Sequence, residues 1–299
     1  MTAAERYPDR MPAAQSLYME TDLGKYHALQ CGDAPASLVM LHANGFNGGT
    51  YLPLLRRLAP HGGWLAPDFR GHGGSFTPEK IRSWHEFVAD VATWKSRGWF
   101  QQPLVLGHSL GGVTALLTEA AHPGTFRGIV LLDPVVFRRR FLPVIALGHV
   151  PWIRAHNPMV KGALGRRMEF PDRNALVASY ARKPSFSSWN RDFLEAYIQW
   201  GTHAVPHGVR LSCEKETEAQ IFSTWPLTFW QRIRNVRCPV LILRGANSRT
   251  LLPATARRME QTMPHAIYKD IDHAGHFLPM EQPDAVVAAV NQWQARQAV

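Results

Sequence analysis

Ser109 stands in Gly107-His108-Ser109-Leu110-Gly111, and its surroundings give that serine a chemical use. Pro103-Leu104-Val105-Leu106 before it reads as a short buried strand, and residues 110–121 after it read as a helix. A serine at a Gly-x-Ser-x-Gly turn from strand to helix is placed to act as a nucleophile. Its hydroxyl would be held at a helix N-terminus, where backbone N–H groups favour a developing oxyanion. The sharp turn needs strained backbone angles, and only small neighbours let the helix lie close against the strand. A serine hydroxyl is a poor nucleophile at neutral pH and needs a base. The chain has 14 histidines, so residue type alone does not name that base.

The elements that must position the turn are read from the apolar runs. Segments 17–21 and 26–30 flank Asp22-Leu23-Gly24-Lys25 as a short hairpin. Buried strands are predicted over 36–42, 64–68, 103–107, 128–134, 238–245 and 266–271. Helices are predicted over 50–58, 84–97, 110–121, 254–262 and 283–296. Short apolar strands alternating with helices imply an α/β fold, a mostly parallel sheet covered on both faces. The alternation breaks between 135 and 235, where the chain turns helical, aromatic and basic. That stretch reads as an insertion into one domain, leaving 1–134 and 236–299 as the core.

Composition limits the function classes. The chain has 299 residues and 45% hydrophobic content, enough for one large core. No stretch approaches eighteen uncharged apolar residues, so no membrane span is expected. The first ten residues lack the apolar run of a secretion signal, and a cytoplasmic protein is expected. Cys31, Cys213 and Cys238 are widely spaced without a metal-ligand pattern, so no metal is expected. The formal charge is +10, and residues 135–235 carry 15 Lys and Arg against 7 Asp and Glu. No nucleic-acid fold signature accompanies this charge, so it is read as a solvated arginine-rich surface, and no nucleic-acid partner is expected. Nothing in the sequence specifies an oligomeric state.

Four segments, in order, resemble the α/β-hydrolase family: Leu41-His42-Ala43-Asn44-Gly45-Phe46, residues 67–75 (Pro-Asp-Phe-Arg-Gly-His-Gly-Gly-Ser), the turn at 107–111, and residues 274–283 (Ala-Gly-His-Phe-Leu-Pro-Met-Glu-Gln-Pro). The likeness covers nearly all of 20–297. It implies an eight-stranded sheet, a helical cap inserted after the sixth strand, here 135–235, and a Ser–acid–His order along the chain.

The resemblance also implies the site. The family's base matches His276, with His273 the near rival. The usual acid position follows the seventh strand, yet Gly245-Ala246-Asn247-Ser248-Arg249-Thr250 offers no carboxylate. An arginine such as Arg249 cannot accept the proton-bearing imidazole nitrogen. Some relatives carry the acid after the sixth strand, and Asp133 occupies that place, ahead of Asp270 and Asp272. The oxyanion would sit on the backbone N–H groups of Leu110 and Asn44. His42, Asp68, Arg70 and His72 match structural positions. Phe277 and Met280, beside His276, are candidate pocket walls, and the aromatic cap suggests an apolar substrate pocket.

The expectation is therefore a serine hydrolase without cofactor, cleaving carboxylic esters of small to medium apolar acids through an acyl-enzyme on Ser109. The same fold also supports lactonases, thioesterases, carbon–carbon bond hydrolases, lyases and non-catalytic ligand-binding proteins.

Overall fold

A computed structural model of the chain describes residues 13–148 and 150–297. Residues 1–12, 298 and 299 of the expected core, and residue 149 of the expected insertion, lie outside the described residues.

The chain opens with a hairpin, β1 (Gln15–Thr21) and β2 (Gly24–Cys31), paired antiparallel. It continues through β3 (Ala36–Leu41), α1 (Leu52–Leu58), β4 (Trp64–Pro67), α2 (His85–Ser96), β5 (Phe100–His108), α3 (Leu110–Ala121) and β6 (Gly128–Leu132). Next come α4 (Leu142–Ala146), α5 (Pro151–His156), α6 (Pro158–Leu164), β7 (Glu169–Phe170), α7 (Arg173–Ala181), α8 (Arg191–Trp200), β8 (Thr202–Val205), β9 (Gly208–Leu211), α9 (Lys215–Phe222) and α10 (Phe229–Arg232). The chain then returns to β10 (Val240–Gly245), α11 (Pro253–Thr262), β11 (Ala266–Ile271), α12 (Leu278–Glu281) and α13 (Pro283–Gln297).

Among the described residues the main sheet has eight strands in the order β1-β2-β4-β3-β5-β6-β10-β11. From β4 to β11 every neighbouring pair is parallel, so the fold is the mostly parallel α/β sheet that the strand–helix alternation implied. The strand runs are continuous in hydrophobicity because both faces are buried. Val39, Val105, Leu131 and Ile242 point to one face and pack with Phe87, Trp94, Val113, Leu116 and Met259 of α2, α3 and α11. Met40, Leu104, Leu106, Val130, Leu132 and Leu243 point to the other and pack with Leu54, Leu55, Val286, Val290 and Trp293 of α1 and α13. This period-2 division sets the register of each central strand, since a one-residue slip would exchange the two faces.

The segment between β6 and β10 is not purely helical. It also carries a three-stranded sheet in the order β7-β9-β8. Val205 pairs with Gly208 across Pro206-His207, so β8 and β9 form a tight hairpin. These strands are four residues or shorter, and their polar and basic residues hide the period-2 signal in the sequence.

The parallel strands end on one side. Leu41, His108, Leu132 and Gly245 lie at their carboxyl ends, where open α/β sheets gather functional loops.

Candidate active site

Ser109 is the residue between β5 and α3, with φ 53 and ψ −110. That left-handed backbone costs about 1–3 kcal/mol for a residue with a side chain. It is held by bonds on both sides: Ser109 N–H donates to Leu132 O at 3.1 Å, and Val113 N–H donates to Ser109 O at 3.3 Å. Gly107 makes the turn possible. A Cβ there would stand 2.6 Å from Gly111 C and O and from Gly112 Cα, so any side chain would push α3 off the strand. The serine retains 8% exposure at the helix start.

Asp133 follows β6 directly, is fully buried and also has a positive φ of 45. Its N–H donates to Leu243 O at 2.8 Å, which pins the residue to the end of β10. The carboxylate then receives three bonds. Gly245 N–H donates to Oδ1 at 3.2 Å, Ser248 Oγ–H donates to Oδ2 at 2.7 Å, and His276 Nδ1 lies 2.7 Å from Oδ2. A carboxylate so engaged can only accept, so the proton of neutral His276 sits on Nδ1 and Nε2 is left as a base. Sequence reasoning misses Ser248, because it looks to the loop 245–250 for a carboxylate. The loop supplies instead a hydroxyl that steadies one. Arg244 shapes the same loop, donating from Nε to Leu251 O at 2.7 Å and from Nη2 to Ala246 O at 3.0 Å.

The rival residues lie elsewhere. His273 is exposed in a turn, and Asp272 and Arg249 are exposed as well. Asp270 is occupied by Arg244 Nη1 and Tyr268 Oη–H, each at 2.6 Å.

His108, within the turn itself, links the loop after β3, through Tyr51, to the loop that bears His276. Its Nε2 lies 2.9 Å from the carbonyl oxygen of His276, which can only accept, so Nε2 carries the proton. Its Nδ1 is then bare and accepts from Tyr51 Oη–H at 2.6 Å, while Tyr51 Oη accepts from Ala43 N–H at 3.2 Å. Burial, and the proximity of His276, push the His108 pKa well below the usual histidine value and keep it neutral.

Asn44 follows Ala43 in the loop after β3. Its side-chain amide donates to Glu218 O of α9 at 3.1 Å and so ties this loop to the segment between β6 and β10. Leu110, directly after Ser109, is fully buried as the first residue of α3. Below this loop, His42 Nδ1–H donates to Ala43 O at 2.8 Å and its Nε2 accepts from Phe69 N–H at 3.0 Å. His72 Nδ1–H donates to Arg70 O at 3.0 Å and its Nε2 accepts from Gly45 N–H at 3.1 Å. Asp68 receives Gly48 N–H at 2.7 Å and Gly74 N–H at 2.9 Å. Arg70 pairs with Asp90 and Glu86. His42, Asp68 and His72 thus brace this loop, while Arg70 ties its own turn to α2.

Phe277 lies beside the site, its ring centroid 5.1 Å from His276 and 5.8 Å from Phe46. Trp189 and Phe186, from the segment between β6 and β10, approach the same ring at 5.3 and 6.4 Å. Met280 is fully buried in the cluster with α13, and its carbonyl accepts from Asn190 N–H at 2.9 Å. Trp225 and Trp230 are turned away from this group, donating from Nε1 to Val135 O and Phe137 O, each at 2.8 Å. Among the described residues, no three His, Cys, Asp or Glu side chains gather as a metal site requires, and no helix is long and apolar enough to cross a membrane.

The buried histidines carry a stability prediction. Burial lowers the pKa of His42, and lowers that of His72 to about 3. A histidine whose folded pKa is depressed contributes its full stability above the unfolded value near 6.5. That contribution drains away as pH falls toward the folded value, because the unfolded chain takes up the proton first. For His72 the loss at pH 5 is about 2 kcal/mol. The midpoint of thermal unfolding should therefore drop by at least about 4 °C between pH 8 and pH 5. An unchanged midpoint across that range would contradict the neutral, buried state of these rings.

A sequence model described as the "Alpha/beta hydrolase family" matches residues 38–289. The chain is 25% identical over 266 residues to a 2-(acetamidomethylene)succinate hydrolase of Mesorhizobium japonicum, covering 88% of each protein. It is 27% identical over 278 residues to a mouse (lyso)-N-acylphosphatidylethanolamine lipase, covering 85% of this chain and 78% of that one. Among solved structures, that of E-2-(acetamidomethylene)succinate hydrolase superposes with a TM-score of 0.77 at 22% identity, covering 94% of this chain and 98% of the other.

Proposed function

The chain belongs to the alpha/beta hydrolase family, and from that premise we propose that it is a serine hydrolase acting on carboxylic esters. The observation that carries the reading is the 2.7 Å contact between His276 Nδ1 and the fully buried Asp133 carboxylate, with Ser109 strained at the start of α3. Ser109 Oγ attacks the ester carbonyl while His276 Nε2 takes its proton. The tetrahedral oxyanion is received by the N–H groups of Leu110 and Asn44. The imidazolium, balanced by Asp133, gives its proton to the leaving alcohol, and an acyl-enzyme remains. Water then repeats the sequence with His276 as base and restores Ser109. No step asks for a cofactor.

The relatives differ in activity, one a 2-(acetamidomethylene)succinate hydrolase and another a (lyso)-N-acylphosphatidylethanolamine lipase, so the aromatic surroundings of His276 are the guide to the substrate. Phe46, Phe186, Trp189 and Phe277 form a wall beside His276 that suits an aliphatic acyl chain. The cap, residues 135–235, is then the selectivity element and supplies Phe186 and Trp189. Each methylene that enters adds about 0.8 kcal/mol, close to fourfold in kcat/KM, until the space is filled. A series of 4-nitrophenyl esters from acetate to octanoate should show this rise and a plateau. Failure of the whole series to turn over, together with no attachment of a fluorophosphonate probe to the Ser109 peptide, would overturn the esterase reading.

A further inference from the structure

Next to Phe186 the surroundings of Tyr180 are charged as well as aromatic. Arg166, just after α6, extends to the loop that bears Asn44. The point where a Cβ of residue 45 would stand is 3.4 Å from Arg166 Nη1 and 2.8 Å from Glu218 Oε1. Arg166 Nη1 pairs with Glu218 Oε2 at 2.7 Å, and Nη2 donates to Cys213 O at 2.7 Å. Its Nε–H is buried and has no partner. The Tyr180 hydroxyl, on a side chain only 1% exposed, stands near the Tyr197 hydroxyl but makes no hydrogen bond of ordinary geometry. Lys183 Nζ lies 3.7 Å from the centroid of the Tyr180 ring.

Arg166 Nε and Tyr180 Oη are thus buried donors without an acceptor of ordinary geometry, and two cations, Arg166 and Lys183, act on the one carboxylate of Glu218. Each buried donor left unmatched costs about 1–3 kcal/mol. Nor does a native anion fill the gap. Burial pushes the Cys213 thiol up to about 12 and the Tyr197 hydroxyl well above its usual value, so both stay neutral. The Arg166–Glu218 pair explains Nη1 as a tie between α6 and α9. It leaves Arg166 Nε and Tyr180 Oη unexplained.

These groups are joined to the candidate catalytic residues by aromatic rings. His276 meets Phe277 at 5.1 Å, Phe277 meets Phe186 at 6.4 Å, and Phe186 meets Tyr180 at 4.8 Å. From the other side, Asn44 is bonded to Glu218, the partner of Arg166. We propose that Arg166, Lys183 and Tyr180 form a carboxylate subsite, so that the preferred substrate is a monoester of an aliphatic dicarboxylic acid. The ester carbonyl lies at Ser109, the methylenes lie along the aromatic rings, and the free carboxylate accepts from Arg166 Nε, Tyr180 Oη and Lys183 Nζ. This revises the wholly apolar acyl group expected from the sequence, and it rests on the esterase reading of Ser109.

The test compares mono-4-nitrophenyl adipate with 4-nitrophenyl hexanoate, which share a six-carbon acyl chain and differ in its end. The adipate ester should have at least about tenfold higher kcat/KM, with the advantage in KM. The ratio should fall toward one in Lys183→Met and in the charge-neutral double variant Arg166→Met/Glu218→Gln, which leaves no buried charge unpaired. A ratio near one in the unaltered protein, or one that both variants leave in place, overturns the subsite while the esterase reading stands. Calorimetry on the Ser109→Ala protein with monomethyl adipate and methyl hexanoate separates the two ideas. Preferential binding of monomethyl adipate that is lost with Lys183→Met supports the subsite even if no ester turns over. Equal binding of the two ligands overturns it.

Discussion

The Ser109→Ala protein should fold with a thermal midpoint close to that of the unaltered chain and lose ester turnover by at least about a thousandfold. The loss follows from chemistry: without Oγ there is no acyl-enzyme, and what remains is water attack aided by the oxyanion donors and binding alone. Retained folding follows from geometry. The bonds that hold residue 109, to Leu132 O and from Val113 N–H, are made by its backbone. Alanine keeps the Cβ that the left-handed turn already accommodates. Probe labelling of the intact protein should add one mass equivalent on the peptide containing Ser109 and none in the variant. Turnover within a few-fold of the original would end the nucleophile assignment.

Asp133→Asn should cost at least about a hundredfold in kcat while the protein stays folded. The reason lies in which partners can donate. Gly245 N–H must donate, so the oxygen of the introduced amide is drawn to it. The NH₂ group then takes the place of Oδ2, facing Ser248 Oγ and His276 Nδ1. Ser248 can turn its hydroxyl and accept. His276 can accept only by moving its proton to Nε2, which removes the base that Ser109 needs. The variant also lacks the charge that balances the imidazolium. Activity near that of the unaltered protein would show that another group orients His276.

The core of the fold is legible because its signals are local. The runs Leu38–Leu41, Leu104–Leu106, Ile129–Leu132 and Val240–Leu243 are each apolar throughout, since each strand is covered on both faces. The turn that carries Ser109 is legible because the glycines around it answer a backbone need. Two partners of Asp133 are not legible. Gly245 and Ser248 lie more than a hundred residues beyond it, and no pattern in the sequence marks a hydroxyl as the brace of a distant carboxylate. The small β7-β9-β8 sheet is hidden by the shortness of its strands, none longer than four residues. The arginine content of 135–235 misleads in a different way. Read as one solvated face, it conceals that Arg166 is drawn inward and only 11% exposed. Total charge does not report which member of a set is buried.

His108 gives its position in the turn a history of its own. The middle residue of Gly-x-Ser carries no part in the attack, and a descendant sequence could change it freely if its side chain met only bulk packing. Here one imidazole satisfies Tyr51 on one nitrogen and the peptide of His276 on the other. A lineage that loses the phenol leaves a buried nitrogen bare, and one that loses the imidazole leaves a buried phenol and the His276 carbonyl without their partner. Positions 51 and 108 are therefore expected to drift as a pair, so that an alignment of descendants would carry their joint signature across 57 residues of chain.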